Sequence, residues 1–305
     1  MNYIPLTPQR ALTVDALYSV HYFEYASGFT FAGESHAFWE MLYVDKGAVT
    51  VTAGDQQIEL TSGKAIFHTP WEFHALSAGR GTAPDLVVVG FSTTSPAMDF
   101  FTDNKVLDIG TEERVLMGRI VEESKAAFST PLNDPTTTTL VRRENAPFGG
   151  EQRVAAALEE LLIRLIRRQK GGPEGREEAD SPEAKWLASM EDYLRQRLDR
   201  PLTLEEICRD NLIGRSQLQK RFHDLTGGGV MAYFAKLKME TARRLIREGR
   251  LNVTQISACL GYQSVHYFSR HFKQHTGMSP SQYAGSVKML SGLPGTPPDD
   301  RANNV

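Results

Sequence analysis

The segment SVHYFSRHFKQHTG, residues 264–277, mixes basic and aromatic side chains at helical spacing. Imidazole, guanidinium and ammonium groups donate hydrogen bonds to base edges and phosphates, whereas aromatic rings pack into a core. In a helix over about 264–275, Phe268 and Phe272 would partly face such a core. A second face would carry Val265, His266, Ser269 and Arg270. We predict that this second face enters the major groove of DNA.

The side chains of that face differ in what they can contact. Arg270 can donate two hydrogen bonds to guanine, His266 can bond a base or a phosphate, and Val265 can pack on a thymine methyl. Lys273 is expected to contact the phosphate backbone. For any one residue, the alternative is a side chain solvated on a helix surface. The candidate DNA contacts of this segment are Gln263, Val265, His266, Ser269, Arg270 and Lys273.

The same pattern occurs earlier in the chain as an internal repeat. Residues 216–227, SQLQKRFHDLTG, align with residues 266–277 at an offset of 50, and residues 204–212 align with 253–261 at an offset of 49. Each copy therefore predicts a short helix, a turn and a second helix, with one extra residue in the second turn. Gln219 suits adenine and Lys220 suits guanine or phosphate. The first copy supplies the candidate DNA contacts Arg215, Ser216, Gln219, Lys220 and His223.

A long helix is predicted between the two copies. Residues 231–249 lack a breaker until Gly249, which favours a helix end. At 1.5 Å per residue this helix spans roughly 27 Å. Successive major grooves on one face of DNA lie roughly 34 Å apart. One chain could therefore place both second helices in successive grooves, with some bending of the DNA.

Charge divides the chain into two halves. Residues 1–180 carry 16 Lys+Arg and 25 Asp+Glu, a net −9, and residues 181–305 carry 18 and 12, a net +6. Within 209–288 the counts are 13 and 4, a net +9. This asymmetry predicts a polyanionic partner for the second half. A basic surface without a ligand is the alternative.

Composition excludes two other classes of protein. No apolar run approaches the roughly 18–20 residues that cross a membrane, so no membrane partner is expected, and the N-terminus MNYIPLTPQR does not resemble a signal peptide. The two cysteines, Cys208 and Cys259, suggest neither a disulfide framework nor a CxxC metal site. We therefore expect a cytoplasmic location.

Two amphipathic helices are predicted over 112–128 and 151–170. The apolar stripe of the second helix carries Val154, Leu158, Leu161, Leu162, Leu165 and Ile166. The stripe can cover the core of the first domain or form the seam of a homodimer. The stretch that follows, KGGPEGREEADSPEA, is rich in Gly, Pro and charge and predicts a flexible linker.

The first hundred residues predict short strands. Residues 36–77 alternate β-branched and aromatic residues with Gly/Asp turn signals, and DLVVVGF predicts a further strand. Short strands at even spacing favour a small barrel or a double-sheet jelly roll.

The repeat also carries a family resemblance. LTLEEICRDNLIGRSQLQKRFHDLTG, MAYFAKLKMETARRLI and NVTQISACLGYQSVHYFSRHFKQHTGMSPSQY are similar to the AraC-type transcriptional regulators over about 185–288. Leu212, Gly214 and Ala284 depart from the family pattern at the first turn, the cap of the second helix and the position after Tyr283. The resemblance implies double-stranded promoter or operator DNA as a partner, RNA polymerase as a second partner if the regulator is an activator, and an N-terminal cupin-like sensor.

The strand region itself resembles a cupin. Gly28, Glu34-x-His36, Glu40 and Gly47 match the spacing of the first cupin motif, and Gly63, Thr69-x-Trp71 and His74 match the second. In an extended strand, residues 34, 36 and 40 would share one face. The candidate effector-binding residues are Glu34, His36, Trp39, Glu40, Trp71 and His74.

Three interpretations of these barrel residues stay open. Carboxylate and imidazole suit Mn, Fe, Ni or Zn, but Glu34 replaces the first cupin histidine. A pocket for an organic effector, with a sugar as one class that the family analogy suggests, or a purely structural set of hydrogen bonds are the others. We predict a sensor that holds no metal and no cofactor.

The predicted fold class is a multidomain α and β protein: an N-terminal cupin-like barrel or jelly roll with following helices, then an all-α double helix-turn-helix. The predicted regions are a cupin-like effector-sensing domain over 1–110, a helical dimerisation region over 111–170, a flexible linker over 171–182, an AraC-type DNA-binding domain over 183–290 and a disordered tail over 291–305. Such a chain would be a ligand-responsive transcriptional regulator, acting as a homodimer and without catalytic activity, for genes of carbohydrate or other small-molecule metabolism. The alternative is a cupin-type metal-dependent enzyme that carries a DNA-binding module.

Overall fold

The computed structural model describes residues 3–171 and 182–291. Among these residues the N-terminal part is built from strands and the C-terminal part from helices, as the sequence predicts. The strands are β1 Ala16–Glu24, β2 Thr30–Glu34, β3 Trp39–Lys46, β4 Ala48–Ala53, β5 Gln56–Thr61, β6 Lys64–His68, β7 His74–Ser77, β8 Asp85–Ser92 and β9 Val106–Asp108. A 3-10 turn, Pro96–Met98, and a short helix, α1 Asp99–Asp103, lie between the last two strands.

The strands form two antiparallel sheets in the orders β1-β8-β3-β6-β9 and β2-β7-β4-β5. Their facing sides share one apolar cluster, to which Leu42 and Ile66 contribute from the first sheet and Val51 and Leu60 from the second. This packing confirms the predicted double-sheet architecture. The two-residue turn at Gly54 and Asp55 joins β4 to β5.

Two helices, α2 Thr111–Ala127 and α3 Gly150–Gln169, cover the outer side of the first sheet. Met41 and Phe67 point to this side because side chains alternate along a strand. The stripe of α3 is buried in the same cluster: Val154, Leu158, Leu161, Leu162 and Leu165 are all fully buried within the chain. The dimer seam predicted for this stripe is therefore wrong, because its side chains already pack on α2 and the sheet.

Seven helices follow in the described C-terminal part. They are α4 Pro182–Arg195, α5 Leu204–Asp210, α6 Arg215–Thr226, α7 Val230–Glu248, α8 Val253–Cys259, α9 Val265–Thr276 and α10 Pro280–Ser291. Two apolar clusters hold them, one around α5 and α6 and the other around α8 and α9. Helix α7 joins the two, because Phe234 and Leu237 belong to the first cluster and Met239 and Ala242 to the second.

The predicted linker and tail fall mainly outside the described residues, which omit 172–181 and 292–305. At their edges, Pro182 begins α4 and Ser291 ends α10, so helical structure reaches one residue into each predicted segment. Within the described ranges no helix combines the length and apolarity that a membrane span requires.

Candidate nucleic-acid interface

The repeat in the sequence is a repeat of structure. Helices α5 and α8 have seven residues each at an offset of 49, and α6 and α9 have twelve each at an offset of 50. The difference lies in the turns, which span 211–214 in the first copy and 260–264 in the second. The extra residue predicted for the second turn is confirmed.

Equivalent capping groups begin the first helix of each copy. The Thr203 hydroxyl accepts from the Glu206 N–H while the Glu206 side chain accepts from the Thr203 N–H, and Asn252 with Gln255 repeats this capping box. Each box satisfies two backbone donors that a helix start leaves without partners. The two copies therefore start their helices by the same local chemistry.

The second helix of each copy is anchored from one side only. Leu218 and Phe222 of α6 and Phe268 and Phe272 of α9 are fully buried. The opposite side faces solvent, where eight candidate DNA contacts are exposed: Arg215, Ser216, Lys220, His223, Gln263, His266, Arg270 and Lys273. Gln219, Val265 and Ser269 are partly buried beside them. The structure thus brings ten of the eleven predicted contacts onto the outer surfaces of the two second helices, and it places Gln263 in the turn before α9.

Few of these side chains are held by neighbours. Arg215 lies 3.7 Å from the Glu205 carboxylate, and both side chains are largely exposed. The Arg270 guanidinium lies 5.6 Å from the centroid of the Tyr267 ring. Such exposed contacts are weak, so these cations stay available for a polyanion.

Comparison with known proteins identifies this helical unit. The helix-turn-helix domain family matches residues 207–286. The MmsAB operon regulatory protein of Pseudomonas aeruginosa is 29% identical over 106 residues, which cover 35% of this chain and 34% of that protein. The transcriptional activator RhaR of Pectobacterium atrosepticum is 29% identical over 128 residues, 41% of this chain and 44% of that protein. The C-terminal region is an AraC-type helix-turn-helix domain.

The matches to these regulators cover less than half of their length. Among solved structures, the C-terminal domain of AraT from Geobacillus stearothermophilus is 27% identical and covers 35% of this chain and 86% of its own, with a TM-score of 0.32. ToxT of Vibrio cholerae O395 is 13% identical and covers 90% of this chain and 98% of its own, with a TM-score of 0.35.

One residue of the AraC-type domain that sequence reasoning missed ties its halves together. The buried Lys238 of α7 donates from Nζ to the Arg200 carbonyl at 3.0 Å and to the Leu260 carbonyl at 2.7 Å. Burial lowers the pKa of Lys238 to about 8. The sequence offers one signal for this role. Lys238 directly follows the apolar Leu237, and the helical period of α7 places both side chains toward the core.

The barrel holds a second candidate site, at one end of its interior. Glu34 ends β2 and is the register partner of His74, which begins β7. Glu40 lies on β3 in the other sheet, and His36 lies in the connection between β2 and β3. The prediction that 34, 36 and 40 share one strand is therefore wrong, because the chain crosses between sheets after Glu34. One ligand atom from each of the four nevertheless lies within 4.8 Å of the others.

Hydrogen bonds fix both imidazoles of this barrel cluster, which we define as Glu34, His36, Glu40 and His74. Nδ1 of His36 lies 3.0 Å from the Phe38 carbonyl, and Nδ1 of His74 lies 3.0 Å from the Glu72 carbonyl. A carbonyl only accepts, so each Nδ1 donates and each Nε2 faces the carboxylates. Nε2 of His36 lies 3.5 Å and Nε2 of His74 3.4 Å from Glu40.

Either a proton or a cation satisfies this arrangement. Burial opposes charge on His36, but contact with Glu40 outweighs it and raises the pKa of His36. Burial likewise acts to raise the pKa of Glu40, yet His36 and His74 hold it at about 2. An imidazolium at His36 therefore offsets the buried carboxylate. The four donors also fit a divalent cation, because ligating histidines commonly donate their other N–H to a carbonyl.

A third histidine beside the cluster was missed. His68 is fully buried, is the register partner of Glu40, and stacks on His74 with ring centroids 4.4 Å apart. Burial lowers the pKa of His68 to about 4, so this ring is neutral at pH 7. Its spacing of six residues from His74, across a turn, was the only signal in the sequence.

The two predicted tryptophans do not join the cluster equally. Trp39 is buried on the opposite side of β3, in the core under α2 and α3, because it is one residue from Glu40. The Trp71 side chain is 69% exposed, and the backbone N–H of Trp71 donates to the His36 carbonyl at 2.7 Å. Its positive φ of 67° is uncommon for a bulky residue and costs backbone energy. Trp71 thus remains a candidate rim residue, whereas Trp39 supports the core.

Proposed function

We propose that this chain is a sequence-specific, ligand-responsive transcriptional regulator that binds duplex DNA through both second helices of its AraC-type domain. The observation that carries the proposal is the duplicated helix-turn-helix motif, which buries one side of α6 and of α9 and leaves the basic side of each helix exposed. Recognition helices of helix-turn-helix proteins are presented to the major groove in this way.

Charge and length support DNA as the partner. The net charge of +9 within 209–288 provides the sequence-independent attraction. Helix α7 has 19 residues and therefore spans roughly 28 Å between the two motifs. This length suits two contacts about one helical turn apart on a single face of DNA.

Binding of the full chain to labelled duplex DNA tests the proposal. Fragments from upstream of its own gene and of the flanking genes are titrated and followed by fluorescence anisotropy. We expect one fragment to bind with nanomolar affinity and every fragment to lose affinity steeply as salt rises. Absence of binding to all fragments at low salt would overturn the proposed function.

We further propose that the barrel cluster is the effector site. Glu34 is exposed and Trp71 lies at the rim, so a small hydroxyl-rich ligand, such as a sugar, could donate to the carboxylates and stack on the indole. His36→Ala and Glu40→Ala are expected to abolish the response to effector while basal DNA binding persists. Equal effector responses in wild type and both variants would remove the cluster from this role.

A second candidate function rests on the same cluster. A cupin-type metal-dependent enzyme with a DNA-binding module would use Glu34, His36, Glu40 and His74 as ligands, a role their proximity permits. The curated relatives named above are described as regulators, which favours a non-catalytic sensor. We also propose that this regulator is cytoplasmic, that it acts as a homodimer through a surface other than the α3 stripe and that, if it activates, it contacts RNA polymerase.

A further inference from the structure

A buried arginine joins the barrel to the AraC-type domain. Arg247, near the end of α7, has a side chain that is 1% exposed and donates from Nη2 to the Asp85 carboxylate at the start of β8. Nη1 of Arg247 also lies 3.2 Å from Glu24, the last residue of β1. The Arg247 carbonyl accepts from the Ser27 N–H at 3.2 Å. Backbone and side chain of one residue thus both contact the barrel.

Neighbouring groups extend this contact into a network. Nη1 of Arg247 donates to the Tyr283 hydroxyl of α10 at 3.0 Å, and that hydroxyl donates to Glu24 at 3.0 Å. Nη1 of Arg243, one turn earlier on α7, lies 3.0 Å from Glu24. The two barrel carboxylates therefore neutralise two of the arginines of α7, and removal of either partner would leave a buried charge uncompensated in the docked arrangement.

Little apolar packing accompanies these ion pairs. Among the described residues, Ala26 is the only barrel residue packed against either apolar cluster of the C-terminal part. Clefts of about 650 and 690 Å³ lie between the two parts, one lined by Arg243 and Tyr283 and the other by Lys46 and Glu240. An interface that is polar and incompletely filled is typical of domains that separate reversibly.

The network acts on the helix that sets the geometry of DNA recognition. Helix α7 packs into the clusters of both motifs and connects them directly. The candidate DNA contacts of α6 and α9 face solvent while the barrel is docked. The barrel therefore does not cover the recognition surfaces, and its influence must pass through α7 and through charge.

We propose that the Arg247–Asp85 contact is a latch that holds the AraC-type domain in a state of lower affinity for DNA; this inference rests on the proposed function. The N-terminal half carries a net −9 and its carboxylates cancel positive charge on α7, so docking weakens the attraction to DNA. Release of the latch frees α7 to adjust to two successive grooves and removes that cancellation. Arg247 is in this sense a positioning residue for DNA binding.

Asp85→Asn in the full chain tests the latch. The substitution keeps the shape of the side chain but leaves the buried guanidinium short of one carboxylate, which destabilises the docked state. Asp55→Asn is the matched control because it removes the same charge from the barrel at an exposed turn away from the network. DNA affinity is measured by anisotropy at one fixed salt concentration. Amide exchange at Ser27, whose N–H bonds to Arg247, reports docking directly.

We expect Asp85→Asn to raise the affinity for DNA by at least about fivefold and to accelerate exchange at Ser27, while Asp55→Asn changes neither by more than about twofold. Arg247→Lys, which keeps the charge but loses the fork of donors, should raise affinity in the same direction even if Asp85→Asn folds poorly. Equal affinities of Asp85→Asn and Asp55→Asn, or faster exchange at Ser27 with unchanged affinity, would overturn the latch. Failure of the wild type to bind any DNA would instead overturn the proposed function, and the regulatory role with it.

Discussion

Leu212 and Gly261 occupy equivalent positions in the turns of the two helix-turn-helix motifs, and both have a left-handed backbone, with φ of 50° and 67°. In each motif the next residue donates its N–H back to the first helix: Ile213 to the Cys208 carbonyl and Tyr262 to the Ser257 carbonyl, both at 3.0 Å. The turn thus requires this conformation in both copies, but only the second copy has the residue that adopts it without strain.

Substitutions at these two turn positions should shift the free energy of unfolding in opposite directions. Leu212→Gly removes the strain of a non-glycine residue in the left-handed region, and little packing is lost because Leu212 is 95% exposed. We expect a gain of about 0.5–1 kcal/mol in the unfolding free energy of the first motif. Urea unfolding of the full chain measures this change in free energy, and amide exchange in α5 and α6 shows whether it is located in the first motif. An unchanged or lowered stability would contradict the assignment of strain.

Gly261→Ala provides the opposite case. A Cβ at this position would lie 2.4 Å from the Asp199 carbonyl oxygen and 2.5 Å from Arg200 Cα, so backbone must move. We expect a loss of about 2 kcal/mol or more, concentrated in α8 and α9. Gly214→Ala is the matched control, because its Cβ meets no atom within 4 Å and its φ is negative. Equal effects of the two substitutions would argue against the close approach.

The recognition surface of α9 predicts two kinds of affinity loss. Arg270→Ala should cost about 1–3 kcal/mol on the specific site and relax preference at one base pair, because a guanidinium that bonds guanine carries sequence information. Lys273→Ala should weaken binding on all sequences and reduce the salt dependence, as expected for a phosphate contact. Selection from a randomised site and a salt titration separate the two. If Arg270→Ala leaves both affinity and selectivity unchanged, the recognition face is misassigned.

The barrel cluster is expected to function without a transition metal, with a proton on His36 offsetting Glu40. Elemental analysis of protein purified without chelator should then find less than stoichiometric Mn, Fe, Ni, Cu or Zn, and wild type and His74→Ala should give the same result. Stoichiometric metal that is lost in His74→Ala would contradict this expectation and favour the enzyme alternative. His266→Ala, far from the cluster in sequence and exposed, is the control for adventitious binding by surface imidazole.

His68 makes the stability of the barrel depend on pH. Its pKa is about 4 in the folded chain, below the ordinary value of 6.5, because burial disfavours the imidazolium. The unfolded chain therefore binds more protons between these values, and stability that is present above pH 6.5 is lost as pH falls toward 4. The loss is at most about 1.4 kcal/mol per pH unit. Urea unfolding at pH 7, 6 and 5 measures it, and His68→Gln should flatten the profile while the exposed His223→Gln does not.

Local patterns were sufficient for the AraC-type domain. Helix α7 was predicted over 231–249 and spans Val230–Glu248, and α9 was predicted over about 264–275 and spans Val265–Thr276. Caps, glycines and apolar spacing lie within a few residues of each helix end, so one short window contains the information. The change in the offset of the sequence repeat from 49 to 50 likewise showed that the second turn is one residue longer than the first.

Contacts between residues that are distant in sequence could not be predicted from local patterns. The stripe of α3 has the spacing that both a core helix and a dimer seam require, and only the three-dimensional position of α2 and the first sheet decides between them. Trp39 and Glu40 are neighbours in sequence but point to opposite sides of β3, and the break after Glu34 moves His36 off the strand. Arg247 finds its partners 162 and more residues away, at Asp85 and Glu24, which no local pattern specifies.

The second helices of the two motifs are anchored in the same way on their buried sides but carry different side chains on their exposed sides. Lys220 and Arg270 are equivalent and both cationic, but three other equivalent pairs on the outer sides are chemically unlike: Ser216 and His266, Gln219 and Ser269, and His223 and Lys273. A DNA site complementary to both helices consequently has two dissimilar halves in a fixed order, and inverting one half would mispair it. A single bound chain therefore has a polarity along the duplex. As long as it stays docked on α7, its acidic barrel would project toward the same end of the promoter.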